Sequence, residues 1–121
     1  MSFSLSLSAD AATVTVRHNG VVTIDELETV VREIERLAES NPITGMLVDV
    51  RNVAGGPNKA DYLIWVRNRE RPAHVVPRMA IVRNEELADD MDFVLLTGQN
   101  RGIAVWDFTD EDEARSWLVQ S

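Results

Sequence analysis

Asp49, Arg51, Gly55 and Gly56 are as near as this chain comes to a legible anion or loop site. A carboxylate and an arginine at the end of a strand, then two glycines before a helix, combine charge, a fork of donors and approachable backbone amides. Neither a P-loop lysine nor a GxGxxG pattern accompanies them. Two glycines also serve a tight turn, and Asp49 can equally cap the loop that follows. Cysteine is absent, so thiol nucleophiles, thiolate metal ligands and disulfides are excluded together. Two histidines are present, His18 in a predicted turn and His74 in a predicted loop. Neither sits in a motif, and both read as surface or structural residues. Asp89, Asp90 and Asp92 cluster in sequence, but fall on the outer faces of a predicted helix. They read as a solvated face and not as hard-cation ligands. No nucleophile has a base at recognisable spacing. The chain reads as a non-enzyme without metal or cofactor.

Residues 62–66 point to binding instead. Tyr62, Leu63, Ile64, Trp65 and Val66 are five large residues in a row, more than one helical stripe can bury. At about 100° per residue, Ala60, Leu63 and Ile64 share one face, and Tyr62, Trp65 and Arg69 the opposite one. Paired Tyr and Trp rings anchor interfaces and apolar-ligand pockets. The plainer alternative lays both rings over neighbouring arginine stems. Homodimerisation through the same aromatic face is compatible with either role.

These residues need a scaffold, and 121 residues with 45% hydrophobic and 26% charged side chains suffice for one domain over 1–121. The net charge of −8 argues against nucleic acid. An arginine strip over 67–83 reads as a face that balances nearby acids. No apolar run approaches the about 20 residues of a transmembrane helix, and the first residues alternate apolar with serine, unlike a signal peptide. A cytoplasmic protein is the expectation. Phe3, Leu5 and Leu7, then Val14 and Val16, alternate as half-buried strands joined in a hairpin, with His18-Asn19-Gly20 as the next turn. Ile24, Leu27, Val30, Val31, Ile34, Leu37 and Ala38 form a helical stripe. Thr23 and Glu26 suit a capping box at its start. Residues 46–50 form a buried strand, 51–57 a loop, and Asn58 caps a second helix from about Lys59 to about Glu70. Residues 79–82 form a further strand. Asn84 caps a third helix with Leu87, Met91, Val94 and Leu95 inward. Residues 103–108 form the last strand, and Asp110 caps a last helix with Ala114, Trp117 and Leu118 inward. The order predicts an α/β domain: a mixed sheet of about five strands, with an N-terminal antiparallel hairpin and four helices.

Several segments resemble the SpoIIAA-like family, related in fold to STAS and CRAL-TRIO domains. They are Gly20-Val21-Val22-Thr23 before the first helix, Leu47-Val48-Asp49-Val50, and Met79-Ala80-Ile81-Val82. Val105-Trp106-Asp107-Phe108, followed by Glu113-Ala114-Arg115-Ser116-Trp117-Leu118, is the most specific of them. The resemblance implies a binding module that holds a small apolar or lipid-like ligand beside the second helix. Its alternative is a STAS-type regulatory domain that meets a protein partner. Anti-anti-sigma STAS proteins carry a phosphorylatable Ser or Thr where the helix after the central strand begins. Phosphorylation there would add about −1.5 to −2 charge. Residues 52–58 here hold no hydroxyl, and no Ser or Thr lies between Thr44 and Thr97, so that switch is not carried over.

Overall fold

The computed structural model describes residues 3–68, 78–87, 94–97, 99 and 104–120. Strands β1 (Phe3–Leu7) and β2 (Thr13–Val21) pair antiparallel, with Leu5 opposite Val16. The hairpin closes on side chains: Ser8 Oγ donates to Asp10 Oδ1 at 2.6 Å, and the Thr13 N–H donates to Ser8 Oγ at 3.0 Å. His18-Asn19-Gly20 is not a turn, contrary to the sequence reading. It stays within β2, where the register slips between Arg17 and Asn19 and again beyond Gly20. Gly20 has φ 69°, a left-handed value that lets a turn-type sequence become a bulge without breaking the strand.

Helix α1 (Ile24–Ala38) begins at Thr23, whose side chain accepts the Glu26 N–H at 3.1 Å. Strand β3 (Gly45–Gly55) runs five residues past the predicted end. The supposed loop 51–55 is strand because the bulged end of β2 supplies it with partners, Asn52 opposite Asn19 and Gly55 opposite Val21. Asp49 therefore lies mid-strand and not at a strand end. Helix α2 (Lys59–Arg67) starts on an Asn58 cap, which accepts the Asp61 N–H at 2.8 Å, and ends on an Asn68 cap; the predicted end at Glu70 lies outside the described residues. Strand β4 is Arg78–Val82. The predicted third helix opens instead as a 3-10 turn over Glu85–Leu87, and its described helical part, α3, covers 94–97. The Asn84 side chain donates to the Arg51 carbonyl at 3.2 Å. Strand β5 (Ala104–Phe108) and helix α4 (Glu111–Leu118) complete the fold, and Met91 and Ile103 lie outside the described residues.

The sheet order is β1-β2-β3-β4-β5, parallel from β2 onward. Each parallel step goes one strand further in the same direction, so right-handed crossovers put α1, α2 and α3 on one face. Only α4 remains for the other face. The packing agrees. Val30 and Ile34 of α1 meet Val14, Val16 and Met46, and Leu95 of α3 meets Ile81 and Val105. On the opposite face, Ala114 and Leu118 of α4 meet Leu47, Ala80 and Val82. Among the described residues, the result is a mixed α/β fold with five strands and four helices.

Candidate functional site

The face under α1 and α2 is incompletely filled. Leu47 on the α4 side of β3 is fully buried, but Val48 and Val50 on the other side are only half-buried, as is Met79 on β4. A parallel strand between helices ordinarily buries both faces. Here a cavity of about 440 Å³ separates these side chains from the helices. Leu27, Val30, Val31 and Ile34 of α1 form one wall, and Tyr62 and Trp65 of α2 form another. Helix α2 has no buried residue, because its inward side chains border this space and do not dock on the sheet. The size falls in the range of about 300–1,000 Å³ typical of small-molecule pockets.

Tyr62 and Trp65 are thus the inward face of α2, and Ile64 is a large apolar side chain left to solvent, 57% exposed. The two rings stand 6.0 Å apart at 42°. Trp65 Nε1–H donates to Glu28 Oε1 at 2.5 Å, tying α2 to α1. Burial pushes the Tyr62 hydroxyl up from the ordinary phenol range. On the strand side, His18 borders the cavity, and its Nδ1 lies 2.6 Å from Glu26 Oε2. Both residues are nearly inaccessible, at 4% and 6% exposure. Sequence reasoning missed this pair. The sequence pattern places His18 in a turn and Glu26 in a cap, and no local spacing rule connects a strand with the helix that follows it.

The α4 face carries a cluster of ion pairs beside its apolar packing. Arg17 donates to Asp49 at 2.7 Å and to Glu111 at 2.9 Å, and Arg51 donates to the same two carboxylates at 2.9 Å each. Arg115 closes the group, 2.9 Å from Glu111 and 3.3 Å from Thr15. Burial alone would push Asp49 up. Hydrogen bonds from the Arg51 side chain and N–H, and from Arg17, outweigh it and hold the carboxyl near about 2. The Arg17 guanidinium chiefly, with Arg115, draws Glu111 down to about 2. Both folded values lie below the ordinary 3.8 and 4.5. The stabilisation is therefore complete above about pH 4.5 and is lost as pH falls toward about 2. Thermal melts from pH 6 to pH 2 should show a steep loss over that window, and Asp49→Asn/Glu111→Gln should flatten it. An unchanged slope in the double variant would contradict this assignment.

A family model described as SpoIIAA-like matches residues 13–119. The chain belongs to the SpoIIAA-like family. Solved structures agree on the SpoIIAA-like fold. One is an uncharacterised DUF3478-family protein with a SpoIIAA-like fold from Shewanella loihica PV-4, with a TM-score of 0.66 and 19% identity over 96% of this chain and 91% of that one. The anti-sigma factor antagonist SpoIIAA in its unphosphorylated form has a TM-score of 0.60 and 19% identity, covering 96% of both chains. The Bacillus cell fate determinant SpoIIAA in the phosphorylated form has a TM-score of 0.61 and 18% identity, over 96% of this chain and 98% of that one. No curated protein matches the chain. Among the described residues, no helix of this SpoIIAA-like chain is long and apolar enough to cross a membrane.

The SpoIIAA-like fold separates residues that sequence proximity had grouped. Asp49 and Arg51 face α4 and hold each other, whereas Gly55 and Gly56 border the cavity on the opposite face. The Gly55 carbonyl accepts the Val22 N–H at 2.8 Å, which joins the end of β3 to the start of α1. Tyr62 and Trp65 are brought together at the cavity, and Arg69, His74, Asp89, Asp90 and Asp92 lie outside the described residues. In the arginine strip, Arg83 pairs with Asp107 at 2.6 Å, and Arg78 lies 4.2 Å over the Trp117 ring.

Proposed function

We propose that this SpoIIAA-like chain is a non-catalytic binding module, and that its cavity takes a small apolar or lipid-like molecule beneath α2. One observation carries the reading. Val48, Val50 and Met79, at the centre of the sheet, remain half-buried under a cavity of about 440 Å³ that Tyr62 and Trp65 border. An apolar molecule there would complete the burial that the helices leave undone, by the same effect that drives folding. Native mass spectrometry of the purified protein should detect a 1:1 complex with an added long-chain apolar compound. Trp65→Ala and Tyr62→Ala should each weaken it about tenfold, equivalent to about 1.4 kcal/mol. Absence of any complex, with no tryptophan fluorescence change, would refute the ligand reading.

The second reading is a STAS-type regulatory domain that meets a protein partner, and the family fold favours it. Such a role would have to work without a phosphorylated hydroxyl at the start of α2, where Asn58 occupies the cap. A partner retained by wild type and by the Tyr62→Ala/Trp65→Ala double variant would place that interface away from the cavity.

A further inference from the structure

We infer that the cavity is built for an apolar molecule bearing a lone hydroxyl, which donates its proton to Nε2 of His18. This rests on the reading of the cavity as a ligand site, and it names the ligand's polar end. The described walls of the cavity are aliphatic and aromatic, with side-chain polar groups on Tyr62, Trp65, Asn58, Lys59 and His18, and the Trp65 N–H is taken up by Glu28. Asn58 and Lys59 lie at the exposed lead into α2, and both Asn58 side-chain groups are taken up by Asp61. Among the described residues, His18 alone brings an ionisable side chain to the buried strand side. Its Nδ1 faces the Glu26 carboxylate at 2.6 Å. A carboxylate facing Nδ1 favours the tautomer that carries its proton there, and in that tautomer Nε2 offers a lone pair to the cavity's ligand.

That arrangement selects among head groups. A carboxylate would bring a second negative charge close to Glu26 in a site with little solvent to screen it. An ammonium group would have to shed its whole hydration shell. An ether oxygen or a ketone offers Nε2 nothing to accept. A hydroxyl donates one hydrogen bond and adds no charge. Long-chain alcohols and hydroxylated ring systems share this chemistry.

Tryptophan fluorescence titrations at pH 8 with 1-decanol, its methyl ether and decanoate test the assignment. The ether is the more apolar of the first two, so burial alone favours it. The alcohol should nevertheless bind roughly fivefold to tenfold more tightly, the worth of one hydrogen bond. Decanoate should bind no better than the ether. In His18→Phe/Glu26→Met, which replaces both partners with apolar side chains, the alcohol should lose its advantage while the ether still binds. Equal affinities for alcohol and ether in the wild type, or decanoate binding tightest, would overturn the hydroxyl assignment and leave the cavity reading standing. Failure of all three compounds to bind would remove the cavity reading as well. Should the double variant not fold, the wild-type ratio of alcohol to ether still decides.

Discussion

His18→Leu is expected to lower the unfolding free energy by roughly 3 kcal/mol, the cost of breaking a buried pair by removing one partner. The reasoning starts from accessibility. His18 and Glu26 are almost wholly shielded, and their 2.6 Å contact is a short side-chain hydrogen bond. Leucine fills much of the ring's space but leaves the carboxylate without its ring partner in an apolar setting. His18→Phe/Glu26→Met removes both polar groups and should stay within about 1 kcal/mol of wild type. Urea unfolding of the wild type, the single and the double variants measures this. A single variant that loses less than about 1 kcal/mol would show that the pair is solvated and not buried. The Phe3 ring lies 6.3 Å from His18 across the hairpin.

The architecture was legible because it is written in short-range patterns. Alternation in β1 and β2, the stripe of α1, and the Thr23, Asn58 and Asp110 caps each depend on a few neighbouring residues. The errors fell where a distant partner decides. The end of β3 is strand only because the bulged tail of β2 lies beside it, and Gly20 makes that tail possible. Periodicity cannot report such a pairing. The aromatic surplus on α2 was visible in the sequence, but its direction was not. Tyr62 and Trp65 turn inward and Ile64 outward, the reverse of what hydrophobicity alone favours. The cavity supplies the reason: the rings border empty space, and the Trp65 N–H finds Glu28 on α1. The grouping of Asp49 with Gly55 and Gly56 failed because a strand alternates its faces. Asp49 and Arg51 point to α4, and the chain reaches the cavity wall only after the strand has run on.

The same alternation gives the second large prediction, on two adjacent residues of β3. Leu47 has no exposed surface and packs with Ala80, Val82, Ala114 and Leu118 under α4. Gly45 keeps that face tight, since a Cβ there would meet Leu118 Cδ2 at 3.2 Å. Leu47→Ala should therefore cost roughly 3 kcal/mol, because close packing prevents the neighbours from collapsing into the gap. Val48, one residue on, faces the cavity. Val48→Ala removes atoms that already lack partners on one side, and should cost clearly less than a fully packed valine would. Val48→Leu adds volume where space exists, so it should leave stability unchanged or raise it by about 0.5 kcal/mol. That variant should also weaken decanol binding by occupying its space. Urea unfolding and the fluorescence titration measure both effects on the same samples. If Val48→Leu instead destabilised the fold as overpacking does, by about 1 kcal/mol or more, the space above β3 would be filled in solution. The ligand reading would then fail on stability data alone, with no compound added.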